Sequence, residues 1–234
     1  MLHKFMQYLL CATAVSTLSI ASALPTGGGS GGDSKPPGWL MLNHPASNAW
    51  LGEMKDSSTS PPKKWVPPKP KSKSDNWIYM HTEDAAKNAY RHVREKDHGG
   101  KDWKGLVVTL NVPEVGLFAA TKGSSSFLDK HRKEAPVWAK AAGKGKLGDA
   151  ADMVLWAAEQ VVEKREPGFL KERKAKGKHA YPAGTYMAAY GTLSGHKPDY
   201  TDPCLVPGSL RDTNRVCKDM LEDLGIDRSL DEDC

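Results

Sequence analysis

Apolar and polar positions divide this chain into three stretches of different rhythm. Residues 5–20 are mostly apolar. Residues 24–74 are rich in Gly, Pro, Lys and Ser and carry no apolar period, apart from the island GWLMLNHPASNAWLG (38–52), which can dock as an early strand or turn. From residue 75 onward helical and strand periods alternate. NWIYM reads as a short apolar strand, and Thr82 as the cap of a helix over EDAAKNAYRHVREK. Ala85, Ala86, Ala89, Tyr90 and Val93 form its apolar stripe, and Gly99-Gly100 stops it. LVVTLNV (106–112) is a buried strand and VGLFAAT (115–121) a second. Ser126-x-x-Asp129 opens a helix that Pro136 breaks or restarts.

DAADMVLWAAEQVVEKR (149–165) carries the strongest helical pattern. Asp149 is its cap, and Ala151, Leu155, Ala158 and Val162 lie on one face with Val154 and Val161 beside them. TYMAAYGTL (185–193) is a third strand. Val216, Met220, Leu221 and Leu224 share one side of a last helix, and Gly225 suits its C-terminal cap. Interleaved strands and helices predict an α+β or α/β fold: a single compact domain over 75–234 with a short mixed sheet, about four helices and an acidic tail.

The first stretch changes the picture of where the chain goes. Lys4, the apolar run and Ala21-Ser22-Ala23 follow the order of a secretory signal peptide, predicted over 1–23. The run is short and interrupted for a bilayer core of roughly 30 Å, and no later segment reads as a membrane span. A secreted, extracellular protein is expected, with a low-complexity, disordered Gly/Pro/Lys-rich arm over 24–74 before the domain. Cys204, Cys217 and Cys234 remain beyond the leader, so one disulfide and one free thiol is the simplest state. Cys204–Cys217 would clip the loop before the last helix; Cys204–Cys234 or Cys217–Cys234 would tie down the tail.

Charge adds candidate surfaces. The net charge of +5 is too small to call for a nucleic-acid partner. Its distribution is uneven: Lys63, Lys64, Lys69, Lys71 and Lys73 crowd around Trp65 in the arm, and a second basic run follows at 171–178. Such a Lys/Pro run is either a spacer or a handle for an acidic partner. Tyr186 and Tyr190 share one face of their strand; exposed they suit a binding surface, and buried they are core.

Catalytic chemistry is sparse. His81-Thr82-Glu83 has the H-x-E of zinc deaminases, which also need P-C-x-x-C. Here Pro203-Cys204-Leu205-Val206-Pro207 puts a proline where the second thiolate belongs, so no metal set is expected. IYMHTEDAAKNA resembles the opening of some ADP-ribosyltransferases, in which a strand ends in a His that contacts the nicotinamide-side ribose of NAD. That resemblance implies that His81 and Thr82 take that place. The family's later tyrosine and glutamate motifs have no match. Neither a nucleophile with its base nor a cofactor motif is read elsewhere.

The whole layout, an A-x-A leader, Leu24-Pro25, a low-complexity arm and one orphan domain, resembles secreted effector-type proteins of filamentous (fungal) plant pathogens. The resemblance implies export and possible translocation toward a host, with virulence exercised by binding a host or extracellular protein. The alternative is a secreted enzyme, ADP-ribosyltransferase-like, built around His81. A wall-associated role is the third class.

Overall fold

The computed structural model describes residues 39–40, 43–44, 49–56, 63–64, 77–101, 103–143, 149–192, 197–204 and 211–229. The leader, most of the arm, Trp65, Lys69, Lys71, Lys73 and Cys234 lie outside them. Short strands β1 (Trp39–Leu40), β2 (Asn43–His44), β3 (Ala49–Glu53), β4 (Lys55–Asp56) and β5 (Lys63–Lys64) come first. Then follow α1 (Trp77–His98), the hairpin β6 (Leu106–Val112) and β7 (Gly116–Thr121), and α2 (Ser125–His131), α3 (Pro136–Ala142), α4 (Ala150–Arg165) and α5 (Phe169–Ala175). The described chain ends with β8 (Tyr186–Gly191), β9 (Asp199–Thr201), α6 (Arg211–Leu224) and β10 (Asp227–Arg228). The architecture is therefore α+β, as expected.

One sheet runs in the order β10-β8-β6-β7-β3-β2, with β9 also on β8. Its pairs are antiparallel except β10 with β8. Strand alternation divides the core in two. Val108, Leu110, Phe118, Ala120, Met187 and Ala189 turn to the face covered by α4 and its neighbours. Val107, Leu117 and Ala119 turn to the other face, against Ala85, Ala89, Tyr90 and Val93 of α1. The result is a helix–sheet–helix sandwich.

Several expectations need correction. NWIYM is no strand: Trp77 to His98 form one helix. A five-residue apolar run fits either period, and here the buried stripe of α1 extends backward through Thr82, which is fully buried. Thr82 is thus inside the helix rather than capping it, and its carbonyl accepts a 2.9 Å bond from the Thr109 hydroxyl. Folded structure also begins before residue 75. β3 pairs with β7 in the register Leu51↔Ala120, so part of the apolar island belongs to the sheet. Finally, Val216 is 44% exposed; Cys217, Met220, Leu221 and Leu224 make the buried side of α6.

Other elements match the pattern reading. Asp149 caps α4 by accepting from the Asp152 N–H at 2.9 Å. Pro136 opens α3, where its missing N–H costs nothing. Gly225 has φ +77°, and a Cβ there would lie 2.3 Å from His179 Cβ. Glycine alone fits this cap, which sends Ile226 N–H back to the Leu221 carbonyl and feeds the chain into β10. Cys204 and Cys217 form the disulfide, one of the pairings left open above.

Candidate functional site

At one end of the sheet β6 begins, β7 and β8 finish and β3 starts. α1 brings its C-terminal end to this edge and α4 its N-terminus. The elements leave a cleft of about 580 Å³ between them. Val93, Leu106, Ala150 and Pro203 close its base, while His98, Asp97, Lys104 and Lys122 stand exposed at its rim.

Two indoles wall the cleft, and each is held from both backbone and side chain. The Trp50 N–H donates to Thr121 Oγ1 at 3.0 Å, and its indole Nε1 donates to Asp97 Oδ2. The Trp50 ring meets His92 edge to face at 5.4 Å. Trp103 stacks on Tyr90 at 5.1 Å and on His98 at 5.5 Å. The Tyr90 hydroxyl donates to the Trp103 carbonyl at 2.7 Å and lies 2.9 Å from Thr192 Oγ1. Gly105 permits this arrangement, because a Cβ there would lie 2.2 Å from the Trp103 ring. The aromatic walls are therefore built before any ligand arrives, which lowers the cost of binding.

Asp149 sits at the cleft beside the first turn of α4. Burial pushes its carboxyl above the usual range, while the N–H groups of Asp152 and Ala151 and the Lys122 charge pull it down. The cleft thus presents two ammonium groups, two carboxyls and one imidazole around aromatic walls.

Among the described residues, none of the site residues expected from the sequence lines this cleft. His81 lies on α1 at a distance of several turns. Tyr79 and Glu83 share one face of that helix: the Tyr186 hydroxyl donates to Glu83 Oε1 at 3.2 Å, and the Tyr79 and Tyr186 rings stand 4.4 Å apart. His81, two residues from each, points about 200° around the helix. A tyrosine and a glutamate do converge, but away from His81, and the strand that should deliver this His is helix. The transferase-like geometry is not formed.

Tyr186 is buried by these contacts and is core, not surface. Tyr190 is half-buried; its hydroxyl donates to the Pro198 carbonyl at 3.1 Å and its ring meets Tyr200 at 5.0 Å, with Lys87 near both. Lys63 and Lys64 lie in β5 of a separate three-stranded ribbon, where Lys64 pairs in register with Lys55 of β4. Pro203 of the Pro-Cys pair does reach the cleft. Its neighbour Cys204 is spent in the disulfide, so no thiolate is left there for a metal. Among the described residues no group of three His, Cys, Asp or Glu side chains could hold a metal ion. Among them, too, no helix is long and apolar enough to cross a membrane.

Sequence reasoning missed Trp50, Asp97, Trp103, Lys104 and Lys122 because they come from three separate segments. One signal was readable: Trp103-Lys104-Gly105 and Lys122-Gly123-Ser124 each put a cation beside a glycine at a strand end. The chain matches no protein-family model, and neither a curated protein nor a solved structure is similar to it.

Proposed function

We propose that this chain is an exported binding protein that acts by recognition rather than turnover, with the cleft between α1 and α4 as its recognition site. The observation that carries this reading is the pair of preformed indole walls around a cavity of about 580 Å³, within the range of ligand sites. Aromatic anchors of this kind dominate binding energy, because they bury large area at small entropic cost. The leader-like N-terminus and the basic arm support an effector-type role directed at a host or extracellular protein.

The test is partner capture by the full secreted chain, with captured proteins identified by mass spectrometry. Lys104→Gln/Lys122→Gln changes two exposed rim groups and should abolish specific capture. Substituting Gln for Lys63, Lys64, Lys69, Lys71 and Lys73 should leave capture intact. The opposite pattern would move recognition from the cleft to the arm.

A further inference from the structure

The Trp50 wall of the cleft is held differently from the rest of the sheet. The ladder between β3 and β7 ends at the pair Leu51↔Ala120. Trp50 stands one residue beyond it, and its N–H is accepted by the Thr121 hydroxyl rather than by a backbone carbonyl of β7. On its other edge it is in register with Asn43 of β2, a strand of two residues. Side chains of α1 then fix the indole. The Asp97 carboxylate accepts its N–H, and the His92 ring meets it edge to face at 5.4 Å. Both tethers come from the last two turns of that helix. A wall held to the sheet by side chains moves when one of them changes charge.

His92 is half-buried, and an imidazole changes charge near neutrality. Burial holds its pKa below the ordinary 6.5; the Lys96 ammonium lowers it further, while Glu95 and Asp97 oppose. Those three charges lie on α1. From the other elements, Trp50 of β3 meets the ring itself, His44 of β2 is in register with Ala49, and Lys122 follows the last residue of β7. His98 stacks on Trp103, not on Trp50. The folded chain therefore favours the neutral imidazole. The stability this contributes is complete above 6.5 and is lost as pH falls through the lowered value. An imidazolium regains water by leaving the indole, and its charge also draws on Asp97, the second tether.

We propose that His92 is an acid release for the cleft: its neutral ring braces the Trp50 wall, and protonation frees that wall and whatever the cleft holds. The consequence for a partner rests on the reading of the cleft as a recognition site, but the movement of the wall needs no partner.

Proton–nitrogen NMR of the indole N–H groups in the intact chain tests this, with Trp50→Phe assigning the Trp50 signal. Between about pH 8 and about pH 5 that signal should move along one titration curve. Its midpoint should lie below 6.5 and coincide with that of the His92 ring protons. The movement should vanish in His92→Gln and persist in His44→Gln and His98→Gln. His92→Phe keeps a ring edge that cannot titrate, so it should hold the neutral-pH signal throughout, with the thermal midpoint unchanged at neutral pH. A Trp50 signal that stays still in the wild type would overturn the proposal. So would movement that persists in His92→Gln or His92→Phe, or a midpoint different from that of the His92 ring. Partner capture at neutral pH is read separately, so the recognition site and its acid release can each fail without the other.

Discussion

Glu159 is the most consequential single side chain in the core. It is 1% exposed, and its two carboxylate oxygens accept the Val137 and Trp138 N–H groups, each at 2.8 Å. One residue of α4 thus satisfies the opening turn of α3, whose own cap side chain, Ala135, cannot accept. Glu159→Ala leaves two buried donors without partners and should cost about 3 kcal/mol in denaturant unfolding. Its titration adds a pH signature. Burial pushes the carboxyl above the ordinary 4.5, and the two N–H groups oppose this only in part. The folded chain then holds the proton more tightly, so this contribution is complete below the ordinary value and is lost as pH rises through the raised one. In Glu159→Gln that dependence vanishes. The stability gap between wild type and Glu159→Gln should narrow as pH rises from 4.5; a gap that widens would reverse the sign argued here. Tyr181 makes the converse point. Its hydroxyl is buried and has no partner among the described residues, so Tyr181→Phe should leave stability equal or raise it by about 1 kcal/mol.

At the scale of elements, α4 is the keystone. It covers β6, β7 and β3 on one sheet face, and Val154 and Leu155 are fully buried there. Leu155→Ala should lose about 2–5 kcal/mol in chemical unfolding, and Leu155→Asp should not fold, because an unpaired charge would enter that face. A cooperative unfolding transition from Leu155→Asp would show that α4 is not core. This helix was legible because Ala151, Leu155, Ala158 and Val162 recur at helical spacing behind a capping Asp, although the structure buries residues 150–159 on every side. The strands 106–112, 116–121 and 186–191 were legible because β-branched and alanine runs sit between turn signals. What was not legible has two physical causes. Trp77 to Met80 is too short a run to choose between helix and strand, and it is helical as the first turn of α1, whose buried stripe begins at Thr82. β3 hides in a segment of arm-like composition, since its burial is supplied by β7 across about seventy residues. The cleft shares that second cause: its walls meet only when four strand ends and two helix ends converge. The Lys/Pro run of the arm, in contrast, advertised itself by composition, whereas Trp50 from the same arm, a wall of the cavity, did not.

For the molecule as a whole, the disulfide decides how the C-terminal third stays on the sheet. Cys204 follows β9, and Cys217 lies in α6, thirteen residues later. α6 packs on α3, and its glycine cap delivers β10 to the edge of β8. The bond therefore closes a loop that leaves the sheet beside β8 and returns to it. Cys217→Ser should cost about 3 kcal/mol by restoring freedom to the unfolded chain, which for this length is a fall of roughly 6–12 °C in Tm. Cys204 is fully buried and Cys217 nearly so, so the effect belongs to folding rather than to a reactive surface thiol. This same bond is compatible with the proposed export, because structural disulfides persist where the surroundings are oxidising. A chain begun at residue 24 and made in a reducing cytosol should carry free thiols at 204 and 217, melt lower by the same interval, and recover on oxidation. The chain collected from the medium should begin near Leu24, by intact mass, and be oxidised at that pair. Collected protein that keeps residues 1–23 and titrates as free thiol at both positions, with an unchanged Tm, would remove the clip and the export argument together.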